Sequence, residues 1–255
     1  MALGEQRVAL ITGGAGGIGR AEALALARAG ADIAVLGHSD LAGAEDTARQ
    51  CRALARRAVV VQGDVRRSDD VRRAVRETVD ALGSLDILVN NAGALGGDLN
   101  APLTELSEEA WHLMLDSHLT GTFLCIKHAA PLMTARGWGR IVNTASIHGR
   151  IGGRPTLGHY GAAKAGIIAL TQTAARELGG AGVTCNVVSP GFVRTPRLQS
   201  YLSAERLEAL SRQIPIGRLA EPEEIAAAVA FLASDAASYV NGAIIDLHGG
   251  RMEYV

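Results

Sequence analysis

The sequence predicts a doubly wound α/β fold in a single domain, and three observations carry that reading. Short strands that are apolar on both faces alternate with longer helix-like segments over all 255 residues, and such strands belong in a parallel sheet covered by helices on each side. The first strand runs straight into a glycine-rich turn that opens a helix, the place where open parallel sheets bind ligands. No low-complexity linker, charge block or internal repeat divides the chain, so residues 1–255 read as one unit.

In chain order, strands are expected at 7–12, 33–37, 58–63, 86–90, 140–145, 183–189 and 243–247. Helices are expected at 17–29, 41–57, 68–82, 107–130, 159–179 and 222–234. The segment 196–219 mixes Arg, Leu and polar residues and reads as a loop-helix cover.

The turn after the first strand is T-G-G-A-G-G-I-G, with Gly13, Gly17 and Gly19 spaced G-x-x-x-G-x-G around Ile18. A strand-to-helix turn this bare lets the backbone and the positive end of the helix dipole approach a pyrophosphate. A tight turn with close helix packing would look the same in isolation. Its position at the head of an α/β chain favours dinucleotide binding.

The end of the second strand chooses between NAD and NADP, because a carboxylate there binds ribose hydroxyls and a basic group accepts the 2′-phosphate. Here it reads Gly37-His38-Ser39-Asp40. Gly37 stands where the acid is sought, leaving room for a phosphate that His38 and Ser39 could bind, so the reading leans to NADP over NAD. Asp40 either reaches the ribose or caps the next helix. Asp64-Val65 follows the third strand, where the acid either accepts from the adenine amino group or precedes a helix. The fourth strand ends in N-N-A-G, and Asn91, Ala92 and Gly93 suit a turn packed against a bound cofactor.

Tyr160 and Lys164 are four apart at the head of a helix-like run, so phenol and ammonium share one face. The chain has four tyrosines and only two lysines, Lys127 and Lys164, all other basic residues being Arg. A compact ammonium is thus kept beside a phenol, where it is expected to lower the phenol pKa towards the working range.

A net charge of −1 gives no reason to expect nucleic acid or an acidic membrane as partner. The opening M-A-L-G-E-Q-R carries no signal-peptide core, and no apolar run is long enough to span a bilayer, so a cytoplasmic location is expected. Cys51, Cys125 and Cys185 are odd in number and far apart, which suggests packing thiols rather than disulfides or a metal site.

These pieces together resemble the short-chain dehydrogenase/reductase family, of the 3-oxoacyl-carrier-protein reductase and glucose dehydrogenase kind. The likeness covers nearly the whole chain: the turn at 12–19, Asp64-Val65, N-N-A-G, Ser146 followed by Tyr160-x-x-x-Lys164, N-V-V-S-P-G-F-V-R-T at 186–195, and the closing P-I-G-R-L-A-E-P-E-E-I-A. The resemblance implies a Rossmann-like, seven-stranded parallel sheet of order 3-2-1-4-5-6-7. It implies Tyr160 as general acid or base, Lys164 as ribose holder, and Ser146 as donor to the substrate oxygen. Pro190, Gly191, Val193 and Thr195 would close over the nicotinamide, with residues 196–219 as a lid. A secondary alcohol or ketone is the implied substrate, and a homotetramer the implied assembly.

One departure concerns His118, which stands where the family usually has an Asn whose backbone carbonyl holds a proton-relay water. The imidazole either assists that relay or packs beside a helix bend. His148 and His159 flank catalytic positions and could line the pocket. His248 is expected to act in structure or at an interface, and His112 and His128 at the surface. The alternative function is a nucleotide-binding scaffold or sensor of the same fold without turnover.

Overall fold

The computed structural model describes Leu3 and residues 6–94 and 101–251. The opening stretch, read as free of a signal peptide, lies partly outside them. Seven strands form one parallel sheet: β1 Val8–Thr12, β2 Asp32–Gly37, β3 Ala58–Gln62, β4 Ile87–Asn90, β5 Gly139–Thr144, β6 Val183–Pro190 and β7 Ile244–Leu247. Their order is β3-β2-β1-β4-β5-β6-β7, as expected. The order reverses between β1 and β4, and a sheet that reverses there leaves a crevice outside its carboxyl ends.

Helices α1 (Gly17–Arg28) and α2 (Leu41–Ala53) lie on one face of the sheet, and α3 (Ser68–Leu82) on the other. Leu26 of α1, Ala48 of α2 and Val229 from a later helix, α10 (Pro222–Ala233), share one core with Ile11, Val89 and Val142 of the sheet. The opposite core joins Val75 of α3 to Met133 and Ala174 from the two long central helices, against Leu10, Leu88 and Ile141. The alternation of these strand residues between two cores is why the strands read as continuous apolar runs.

Three boundaries differ from expectation, each for a local reason. The second helix was expected to reach residue 57 but ends at Ala53. Ala55 turns to a positive φ of 58°, and Arg57 is drawn off to Asp32, its N and Nε each 2.8 Å from a carboxylate oxygen. The helix expected over 107–130 is two: α4 (Glu108–Leu115) and α5 (Gly121–Arg136), separated by a π turn at Asp116–Thr120. Beyond the expected end at residue 130, α5 continues through Pro131 and ends where Gly137 adopts a φ of 68°. A short helix not foreseen, α6 (Ile147–Ile151), precedes α7 (Gly158–Leu178).

The cover at 196–219 contains α8 (Pro196–Tyr201) and α9 (Ala204–Arg212), neither of which buries a residue. Among the described residues no helix is long and apolar enough to cross a membrane. The three cysteines are free and buried, and burial pushes their thiols up to about 11 for Cys51 and about 12 for Cys125 and Cys185.

Candidate active site

At the carboxyl end of β1 the chain turns through Gly13 and Gly17, with φ of 68° and 53°, conformations that disfavour any side chain. Gly16, at the N-cap of α1, is exposed, and a Cβ there would meet nothing within 4 Å. The first turn of α1 holds no acidic residue and its cap has no side-chain partner, so its N–H groups remain for an anion. A Cβ on Gly19 would press into the Gly13 carbonyl and lie 2.6 Å from Asn91 Nδ2. Glycine here is what allows α1 to sit against the strand ends, while Ile18 packs on the core beside them.

The fourth strand's N-N-A-G locks onto this turn. Asn91 Nδ2 donates to the carbonyls of Thr12 and Gly13 at 3.3 and 3.2 Å, and Ala92 N donates to Thr12 Oγ1 at 3.0 Å. From the other side, Thr195 Cγ2 would lie 3.4 Å from a Cβ on Gly17, while its hydroxyl caps α8 by accepting from Leu198 N at 3.2 Å. Gly191 N donates to Leu247 O at 3.0 Å, and buried Val193 bridges to Ala220. The segment from Pro190 to Thr195 thereby runs from the end of β6 to the glycine turn.

The adenosine end differs from the sequence reading at Gly37 and Asp64 and agrees with the capping role offered for Asp40. A Cβ on Gly37 would fall 3.1 Å from Ala44 Cβ and 3.3 Å from Leu41 Cδ2, so this glycine admits α2 rather than leaving room for a phosphate. Asp40 caps α2, accepting from Gly43 N at 2.8 Å, which favours its capping role. Asp64 accepts from Arg66 through both oxygens, Nη2 at 2.6 Å, and pairs with His38 Nε2 at 3.7 Å. Burial alone would raise the Asp64 pKa, but these partners hold it below the usual range. His38 and Ser39 are exposed at the same edge, and Val65 packs inward, within reach of any side chain placed on Gly121.

The proton-handling residues meet at the end of β5. Ser146 begins α6, its hydroxyl accepting from His148 N at 3.3 Å, and it hydrogen-bonds the Tyr160 side chain. Two imidazoles stand edge-on to Tyr160, those of His118 and His148, each 5.5 Å between ring centroids. Lys164 lies one turn on, its Nζ 5.7 Å from the Tyr160 ring centroid. The sequence expectation that this ammonium lowers the phenol pKa does not hold in the chain alone. Burial raises the Tyr160 pKa and the Ser146 hydrogen bond partly offsets it, because Lys164 Nζ turns to β5 and donates to Thr144 O at 2.7 Å.

His118 lies in the π turn, 4% exposed, with Nε2 3.0 Å from Ala94 O. A carbonyl only accepts, so Nε2 carries the proton and Nδ1 is a bare acceptor without a described partner. Burial, then the Lys164 charge, hold its pKa well below the ordinary histidine value. Its backbone carbonyl accepts from Thr122 Oγ1 at 2.7 Å and from the Gly121 N–H. His159 is fully buried, burial lowers its pKa, and neither ring nitrogen is bonded to a described group.

His148 is pushed down to about 4, first by burial and then by the Arg154 charge. The unfolded chain therefore takes up a proton that the folded chain refuses as pH falls from about 6.5, and stability is lost over the interval down to about 4. Urea unfolding across that range is expected to show a slope approaching about 1.4 kcal/mol per pH unit from this residue. His148→Asn should flatten it; an unchanged slope would disprove the assignment.

The family model adh_short_C2, described as "Enoyl-(Acyl carrier protein) reductase", matches residues 13–251 of this chain. The chain belongs to the short-chain dehydrogenase/reductase family. This short-chain dehydrogenase/reductase is 45% identical over 246 residues to the cis-4-hydroxycyclohexanecarboxylate dehydrogenase of Sinomonas cyclohexanicum, covering 96% of each chain. It is 40% identical over 242 residues to a 3-oxoacyl-[acyl-carrier-protein] reductase of Staphylococcus aureus, covering 95% of this chain and 96% of that one. Among solved structures it superposes on levodione reductase with a TM-score of 0.90 and 33% identity, covering 96% and 97% of the two chains. Enzymes of this family act on CH–OH and ketone groups with nicotinamide cofactors.

Two features of the short-chain dehydrogenase/reductase site were not foreseen from the sequence. Arg66 engages Asp64, and its signal was only its place two residues beyond the acid. Glu22 is a fully buried acid in α1, visible in the sequence as one charge in the otherwise small and apolar run A-E-A-L-A-L-A.

Proposed function

We propose that this protein interconverts a secondary alcohol and a ketone by hydride transfer, with Tyr160 giving or taking the proton at the substrate oxygen. The observation that carries the reading is the Ser146 hydrogen bond to Tyr160 at the carboxyl edge of the sheet, beside buried Lys164. A nicotinamide dinucleotide bound along the crevice would supply or accept the hydride. Gly13, Gly17 and the free N–H groups of α1 suit its pyrophosphate, and Gly16 leaves the approach open. Asn91, Ala92, Gly93, Pro190, Gly191, Val193 and Thr195 line the crevice from its two sides. Ser146 donates to the oxygen as negative charge develops there, and Tyr160 moves the proton. His118, edge-on to the phenol with ring centroids 5.5 Å apart, would assist the proton relay.

His38 and Ser39 are the candidates for an added phosphate, so NADP is favoured over NAD. A small cyclic alcohol is the favoured substrate, in keeping with the 45% identical relative named for a hydroxycyclohexanecarboxylate. Residues 196–219, with no buried residue in α8 or α9, act as the substrate lid. Phe123 on α5, 45% exposed, is the apolar contact offered for a homotetramer.

The test is direct: purified protein with each dinucleotide and a panel of cyclic alcohols and ketones, followed by absorbance of the reduced nicotinamide. Turnover with at least one pair is expected, faster with NADP. No turnover with any secondary alcohol or ketone would refute the reading, and a monomeric mass in solution would remove the tetramer.

A further inference from the structure

Glu22 stands on the inner face of α1, one turn past Gly19, fully buried and with neither carboxylate oxygen bonded to any described group. Ala23, Leu26 and Ala27 beside it are core residues packed on the sheet, so the carboxyl lies against the strand ends rather than at solvent. A charge buried without a partner is strongly disfavoured. The reaction proposed above gives this acid no task.

A second buried charge at the strand ends is Lys164, 3% exposed. Side chains alternate along β5, and Val142 belongs to the core that α1 and α10 cover, so Thr144 faces the same side. Lys164 crosses from α7, on the opposite face, to the Thr144 carbonyl, and Thr144 Oγ1 is itself buried without a described partner. Glu22 thus comes from the side of the sheet that the Thr144 side chain faces, and Lys164 reaches the end of that strand from the other side. Burial raises Glu22, to about 8, and the Lys164 charge opposes it; burial lowers Lys164, to about 7, and the Glu22 charge opposes it.

Few other groups face the pair. On the α7 side are Tyr160 and His118, the latter sensing the Lys164 charge. Against α1, the second helix contributes the Cys51 thiol, which stays protonated, and α10 faces inward with Ile225 and Val229. Arg20 turns outward to Asp46 and Thr47.

We propose that Glu22 is a positioning residue for Lys164: its unpartnered carboxyl, buried under α1 on the side of the sheet that Thr144 faces, sets the charge that the lysine carries in the working site. The proposal rests on the Tyr160-centred reading and adds to it a residue from the other face of the sheet. Two coupled groups release their protons as a unit, so the last proton of the pair is held more tightly than a lone buried lysine would hold it.

The chain's two lysines make this measurable without turnover. In protein labelled with [15N]lysine, Lys127→Arg assigns the Lys164 Nζ resonance. Glu22→Gln is expected to lower the Lys164 midpoint by at least about one pH unit, tenfold in its protonation equilibrium, and Glu22→Asp to restore part of that shift. The alkaline limb of kcat/KM should move to lower pH by a similar amount. An unmoved Lys164 midpoint in Glu22→Gln overturns the proposal. If that variant does not fold, glutamate 13Cδ titration of the unaltered protein decides: Glu22 and Lys164 must titrate over one shared pH interval, and separate intervals overturn it. A shifted lysine in a protein without turnover condemns the Tyr160 reading alone, and an unshifted lysine in an active enzyme condemns only the pairing.

Discussion

Replacing Tyr160 with Phe is expected to lower kcat by about a thousandfold or more while dinucleotide affinity stays within about threefold, because the change removes one proton donor and little else. The ring is held between the edges of His118 and His148, and its hydroxyl meets Ser146. Phenylalanine keeps those ring contacts and deletes the hydroxyl. The glycine turn, at the other end of the crevice, is untouched. Steady-state kinetics and a fluorescence titration of the reduced cofactor check the two halves. Retained turnover would remove Tyr160 from the chemistry.

The direction of the Tyr160 pKa gives the same residue a pH signature. Because burial raises it, the phenol stays protonated through neutral pH and is ready to give a proton to a ketone oxygen. Alcohol oxidation needs the phenolate, so its rate should climb with pH, while ketone reduction, which uses the protonated phenol, should not. Parallel profiles in the two directions would contradict a single tyrosine serving both.

How much of this could be read from the chain depends on whether the cause was local. Strands apolar on both faces announced a covered parallel sheet, and Gly13, Gly17 and Gly19 announced a bare strand-to-helix turn. Both properties belong to a few consecutive residues. The direction of Lys164 Nζ does not: helical spacing puts it on the tyrosine's face, but the carbonyl that captures it is Thr144, twenty residues earlier on another element. Gly37 is a similar case. Its missing side chain looked like space for a ligand, yet α2 fills that space with Leu41 and Ala44. The early end of α2 was hidden for the same reason, since Arg57 answers to Asp32 across the sheet edge. The π turn at Asp116–Thr120 carries no glycine or proline to betray it, and it appears only when its carbonyls are followed to their donors.

That π turn leads to the second large effect, which falls on Gly93. A Cβ added there would lie inside the His118 imidazole, only 2.6 Å even from Nε2. The ring has little freedom to retreat: its carbonyl is tied to Thr122, its Nε2 to Ala94 O, and its edge meets Tyr160 at an interplanar angle of 81°. Relief would have to come from breaking the Ala94 bond or reopening the turn that joins β4 to the crevice. Gly93→Ala should therefore cost about 3 kcal/mol of stability, the upper part of the range for overpacked sites, and reduce kcat by about a hundredfold as Tyr160 loses its neighbour. The clash has one named partner, so it is separable from a general loss at the turn. His118→Ala removes the ring, and on that background Gly93→Ala should cost less than about 0.5 kcal/mol, a large non-additivity between residues in contact. Denaturant unfolding of the four proteins in this cycle is the check. Equal costs on both backgrounds would mean that Gly93 is required for its backbone, and that the imidazole does not depend on it.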